Sequence, residues 1–187
     1  YPLPEASHRP WSSLSAQEQR DEALRMEIYA AMTDRMDQGI GKIIEQLRAM
    51  GELDNTLILF LSDNGASAET VGIGDGQLGE MTDWTSLGED WANVSNTPFR
   101  LFKNDSYSGG ICTPMIAHWP AGIRQPGSIT HWQGHVMDLV PTFMELAGAR
   151  YPETVNGEPT HPVTGVSFAS LLTRGLEPQR EAPLFFR

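Results

Sequence analysis

The positions Ala23, Met26, Ala30, Thr33, Met36, Ile40, Ile43 and Leu47 fall at steps of three and four. That spacing predicts one long helix with a single buried stripe. Ser15-Ala16-Gln17-Glu18 supplies a capping box at its start, where the Ser hydroxyl and the Glu carboxylate each satisfy an N–H left over by the first turn. Gly51 is the expected stop, so the helix runs to about Met50. Gly39 and Gly41 weaken its middle and mark either close packing or a bend. Ahead of it, "YPLPEASHRPWS" holds three prolines, which excludes a helix and predicts an extended surface arm over residues 1–14.

"TLILFL" at 56–61 shows no alternation and is rich in β-formers, so it predicts a strand buried on both faces. A long helix followed by such a strand is half of an α/β unit. Residues 66–98 are rich in Gly, Asp, Glu, Ser and Thr without a period, which predicts a long loop of the functional or mobile kind. "TPMIAHW" at 113–119 is a second strand, closed by Pro120 and Gly122. "MDLVPTFMELAG" at 137–148 is a helix with Pro near its first turn and Gly at its end. A short helix at 167–173 and an edge-like strand at 183–186 complete the α/β pattern. The chain opens on Tyr1 rather than Met and stops after "APLFFR", so a piece of a longer protein, incomplete at both ends, is expected.

Charge narrows the partners. The 187 residues carry a net charge of −11, which repels a nucleic acid or an anionic membrane surface. An anionic small substrate stays admissible, because one local cation reverses the field inside a pocket. No apolar run approaches the roughly 20 residues needed to span a bilayer. A single Cys excludes an internal disulfide and a cysteine-based zinc cluster, and leaves the redox compartment open.

Candidate chemistry begins where the first strand ends, at Asp63-Asn64-Gly65. A carboxylate beside an amide carbonyl offers two hard oxygens, a set suited to calcium or magnesium rather than zinc. The same tripeptide is also a common turn, and both readings stand. Lys103, in "NTPFRLFKNDSYSGG", is either a solvated surface charge or a ligand for an anion. Ser108-Gly109-Gly110 either brings backbone close to a ligand or simply turns. His131 and His135 stand four apart, but Gly134 lies between them and no H-E-x-x-H is present, so hydrogen-bonded structural histidines are expected. His118 reads as a core or edge residue of its strand. Cys112 has Ile111 and Thr113 as neighbours and no base nearby in sequence, so it is expected as a small buried residue.

Five stretches in register resemble the formylglycine-dependent sulfatases, the arylsulfatases in particular, within the alkaline-phosphatase-like superfamily. They are "YAAMTDRMDQGIGKIIEQL", "DNTLILFLSDNGA", "SNTPFRLFK", "GGICTPMIAHWPAGI" and "GHVMDLVPTFMELAGARYP". No one of them is decisive; their order is, and together they reach from about Trp11 to Leu172. The resemblance implies part of an alkaline-phosphatase-like sandwich, with a mostly parallel sheet and flanking helices. It implies a calcium ion on Asp63 and Asn64, the sulfate group on Lys103, and hydrolysis of an aryl or other small-molecule sulfate monoester in the intact enzyme.

The family nucleophile, a formylglycine made within C-x-P-x-R, is not implied for Cys112, because Ile116 stands where that motif needs Arg. Nucleophile and remaining metal ligands are therefore expected upstream of Tyr1, and no catalytic residue is assigned here. Tyr107 and Ser108 replace the His and Glu of an H-E-G-G found in many relatives. Two other readings stay open: a phosphate mono- or diester hydrolase of the same superfamily, and a sulfatase-like domain that only binds. A periplasmic or secreted place is compatible with the resemblance, although the residues carry no address. Neither the ester nor the oligomeric state is readable.

Overall fold

A computed structural model of the protein describes residues 10–70, 74 and 76–186. The first nine residues of the expected arm, and residues 71–73 and 75 of the expected loop, lie outside the described residues. The elements fall into two compact units. One holds the long helix and the Phe60–Ile116 segment; the other holds Met50–Leu59 and Ala117–Phe185.

Helix α1 runs Ala16–Ala49. Its capping box forms as expected: the Ser15 N–H donates to Glu18 Oε2 at 2.7 Å and the Glu18 N–H to Ser15 Oγ at 3.2 Å. Gly51 follows with φ +75°, the left-handed conformation that ends helices. The buried stripe does not form. No residue of α1 is buried, and Met32 and Ile43 are 65% and 62% exposed. Ile40, Ile44 and Leu47 near its end are half-buried, and its first third is partly covered by the segment that holds α2 (Gly88–Ser95). There Arg25 Nη1 donates to the Ser86 carbonyl and Trp91 Nε1 to the Glu22 carbonyl, both at 3.0 Å, and the Trp11 and Trp91 rings meet at 6.5 Å. Periodicity assigns an apolar face to a helix but does not supply the surface that covers it.

Helix α2 also corrects the unbroken loop expected over 66–98. Glu89 and Asp90 sit in its first turn, where acidic side chains favour a helix, and Ala92 is fully buried. Eight residues are too few to show a period. The arm is corrected in part as well: Trp11–Ser13 is a single 3-10 turn, and Pro10 precedes it with a φ of −56° that suits entry into a helical turn.

Strands β1 (Ile58–Leu61) and β2 (Met115–His118) pair in a two-stranded sheet. Burial on both faces is not observed, since Phe60 is 44% and Ile116 62% exposed. Continuous apolar sequence marks a strand meant for cover, and two strands alone cannot provide it. The four-residue helix α3 (Ser108–Ile111) lies just before β2.

The second unit has its own small core. A 3-10 turn (Val136–Asp138) leads into α4 (Leu139–Ala147), which ends at Gly148 with φ +61°. α5 (Ala169–Arg174) packs against α4, burying Phe168, Ala169 and Leu172 beside Thr142. Asp138 is fully buried and organises this unit. Its Oδ2 accepts from the His135 N–H at 2.7 Å and pairs with Arg180, and its Oδ1 accepts from the Val166 N–H at 2.7 Å.

Between these elements, β3 (Thr154–Val155) and β4 (Glu158–Pro159) form an antiparallel hairpin around Asn156 and Gly157, at φ +53° and +86°. Asn-Gly suits such a tight hairpin, because both central residues take positive φ. Residues 183–186 are not a strand.

Candidate functional site

β1 delivers the chain into a turn whose carbonyls are held by side-chain donors, one of them from outside the turn. The Thr113 hydroxyl donates to the Ser62 carbonyl at 2.7 Å, and the Ser62 hydroxyl donates to the Asn64 carbonyl at 2.8 Å. Asn64 Nδ2 donates to the Gly65 carbonyl at 2.9 Å. With that nitrogen engaged, Oδ1 is the side-chain atom that remains for a cation. The Asp63 carboxylate, one residue before Asn64, is exposed. One carboxylate and one amide oxygen match the hard-ligand chemistry of calcium. Among the described residues no cluster of three or more His, Cys, Asp and Glu forms, and two oxygens alone would fall short of the roughly six to eight that calcium takes.

The residue after the turn must be glycine. Gly65 is buried, and its N–H donates to the Gly110 carbonyl at 2.9 Å. A Cβ at Gly65 would lie 1.7 Å from the Gly109 carbonyl oxygen. Gly109 is equally confined, since its own Cβ would lie 2.0 Å from the Leu101 carbonyl oxygen. The glycine pair therefore serves backbone-to-backbone packing, not a free turn.

This packing brings Lys103 to the strand end. Its N–H donates to the Ala66 carbonyl at 3.0 Å, and its half-buried side chain places Nζ 3.5 Å from Glu69 Oε1. Asn96, at the end of α2, joins both segments: Oδ1 accepts the Ala66 N–H at 3.0 Å and Nδ2 donates to the Leu101 carbonyl at 3.0 Å. Leu101 and Asn104, which bracket Lys103, both have positive φ, +63° and +81°.

Two further expectations resolve on the structure. His135 is a structural residue: its Nδ1 accepts the Met137 N–H at 3.2 Å and it caps the turn ahead of α4. Cys112 is exposed rather than buried, because α3 ends at Ile111 and leaves it outside on the way to β2. Tyr107 carries the Arg100 guanidinium 4.5 Å from its ring centre. Asn96 and Glu69 were missed by the sequence reading. Both sit in aperiodic polar sequence where nothing local separates a partner-bound side chain from a solvated one.

The Sulfatase family profile matches residues 3–149, a span that includes the strand-end turn, Asn96 and Lys103. The chain belongs to the sulfatase family. It is 35% identical over 159 residues to an uncharacterized sulfatase of Schizosaccharomyces pombe, covering 77% of this chain and 28% of that protein. It is 33% identical over 185 residues to an arylsulfatase of Klebsiella aerogenes, covering 91% of this chain and 40% of that one. Among solved structures it matches Ps i-CgsB in complex with k-i-k-neocarrahexaose at 28% identity and a TM-score of 0.58, over 89% of this chain and 31% of that one. The fold of this sulfatase chain is accordingly part of the alkaline-phosphatase-like α/β architecture. The chain spans less than half the length of each of these three relatives.

Proposed function

We propose that this sulfatase chain contributes cation and sulfate ligands to the hydrolysis of small sulfate monoesters, aryl sulfates among them. Asp63 Oδ and Asn64 Oδ1 would hold one calcium ion, and Lys103 would hold the sulfate group. The supporting observation is the hydrogen bond from the Lys103 N–H to the Ala66 carbonyl, which ties the lysine to the turn that carries both oxygens.

The chemistry asked of these side chains is electrostatic. Negative charge gathers on the sulfate oxygens and on the departing oxygen as the S–O bond breaks. An ammonium already aimed at those oxygens stabilises that charge without reorganising. A calcium ion, when bound, supplies Lewis acidity toward the same anion. Lys103 orients the ester, and the Asp63 carboxylate offsets the charge of the ion. Cys112 does not fit the formylglycine, because Ile116 stands where C-x-P-x-R needs Arg.

The test is turnover of 4-nitrophenyl sulfate against 4-nitrophenyl phosphate by the full-length protein, before and after chelation. Chelator-sensitive sulfate hydrolysis that Lys103→Ala depresses supports the proposal. Preference for the phosphate ester, or no turnover of either, overturns it.

A further inference from the structure

We infer that Asn96 is a positioning residue, whose side-chain amide sets the spacing between the Asp63-Asn64 turn and Lys103. The inference rests on the reading of Lys103 as the sulfate ligand and adds the residue that places it.

A carboxamide is the one uncharged side-chain group that presents an acceptor and a donor side by side on a rigid plane. Asn96 uses both ends. Its oxygen takes the Ala66 N–H and its nitrogen gives to the Leu101 carbonyl, each at 3.0 Å. Ala66 lies two residues beyond Asn64, and Leu101 two residues before Lys103. One planar group thus spans the two ligand-bearing segments. It is itself anchored: the Asn96 N–H donates to the carbonyl of fully buried Ala92, closing the last turn of α2.

The lysine segment needs such a hold. Residues 101–103 belong to no helix or strand, and Leu101 and Asn104 adopt left-handed backbone conformations that L side chains disfavour. Such conformations persist where surrounding contacts over-determine them. Here the contacts are the Asn96 amide, the Lys103–Ala66 backbone bond and the Gly109 N–H on the Arg100 carbonyl at 2.8 Å. The Glu69 carboxylate at 3.5 Å does not replace them, because it is exposed and such pairs are weak and salt-screened. Glutamine would carry the same amide on a longer stem and shift it; aspartate keeps the acceptor and loses the donor.

The experiment is a double-mutant cycle in the full-length protein, with 4-nitrophenyl sulfate as substrate and amide hydrogen exchange as a second readout. Asn96→Ala is expected to lower kcat/KM by about ten- to a hundredfold, the scale of a misplacement near 1 Å. In a Lys103→Ala background the same substitution is expected to cost less than about threefold, because no ammonium is left to place. Exchange at the Ala66 and Lys103 amides is expected to speed up in Asn96→Ala. Where that variant does not fold, Asn96→Asp enters the same cycle, with faster exchange expected at Lys103. Equal losses in the two backgrounds, or unchanged exchange at both amides, overturn the positioning role while leaving the lysine assignment standing. A Lys103→Ala enzyme with unchanged kcat/KM overturns both.

Discussion

Gly65 and Gly110 meet through a single backbone hydrogen bond of 2.9 Å, at a point where two chain segments pass too closely for any side chain. The first segment carries the proposed calcium ligands; the second leads into β2. Gly65→Ala forces a methyl carbon to 1.7 Å from a carbonyl oxygen, which only backbone movement relieves. The expected outcome in the full-length protein is a loss of about 3 kcal/mol, the upper end of ordinary overpacking. Urea unfolding measures it, and a midpoint within error of the parent would show that the segments are not so closely packed.

Chelation and substitution at the strand end separate the two oxygen ligands from a mere turn. Asp63→Ala removes the one negative charge of the pair, and the calcium concentration for half-maximal activity is expected to rise about tenfold or more. Calcium titration of the chelated full-length protein gives the number directly. An unshifted titration would return Asp63-Asn64-Gly65 to its role as a simple turn.

The Asp138–Arg180 pair makes a stability prediction independent of catalysis. Asp138 is fully buried and receives two backbone N–H groups besides the guanidinium. Asp138→Asn sets an NH2 group against one of those donors and leaves the half-buried Arg180 guanidinium without its countercharge, at a cost of about 3 kcal/mol. Chemical denaturation is the measurement. Calcium titration of the folded fraction is expected to stay unchanged, since the Asp138 carboxylate bonds to His135, Val166 and Arg180 of its own unit.

Gly39 and Gly41 invite the opposite result. Among the described residues, nothing lies within 4 Å of a Cβ added at either position on α1. Each Gly→Ala exchange is expected to stabilise the chain by about 0.5–1 kcal/mol through helix propensity. Thermal unfolding of the 187-residue chain checks this; a lowered midpoint would place a packing partner against that face.

Residues 1–187 by themselves are expected to hydrolyse 4-nitrophenyl sulfate no faster than buffer. The two proposed oxygens would fill only part of a calcium shell, and the C-x-P-x-R motif is not completed at Cys112. The exposed apolar side chains Met32, Met36, Ile43, Phe60 and Ile116 are expected to bind a hydrophobic dye in the same preparation. Turnover above the buffer rate would overturn the inertness.

How far the chain was legible depends on the range of the interaction involved. The capping box of α1, the glycine stops at Gly51 and Gly148 and the approximate spans of β1, β2 and α4 are local, and each is found near its expected place. The α1 stripe is legible as a spacing but not as a buried surface, because burial belongs to whatever lies opposite. α2 and the Asn156-Gly157 hairpin were passed over because eight-residue and two-residue elements carry little periodicity. The strand at 183–186 was read from apolar residues alone, and pairing is what makes a strand.

By itself the sequence determined which groups are present: a carboxylate and an amide at the end of an apolar strand, an amine far along the chain, and the five stretches that mark a sulfatase. These follow from residue identity and from interactions among near neighbours. Only the tertiary structure decided that Asn96 links the Ala66 and Leu101 segments, that Gly65 and Gly109 admit backbone against backbone, and that Asp138 binds Arg180. Each of these joins residues that fold to the same place without any periodic signal between them. Hydrogen-bond geometry and excluded volume act on positions in space, which the order of residues constrains only through the completed fold.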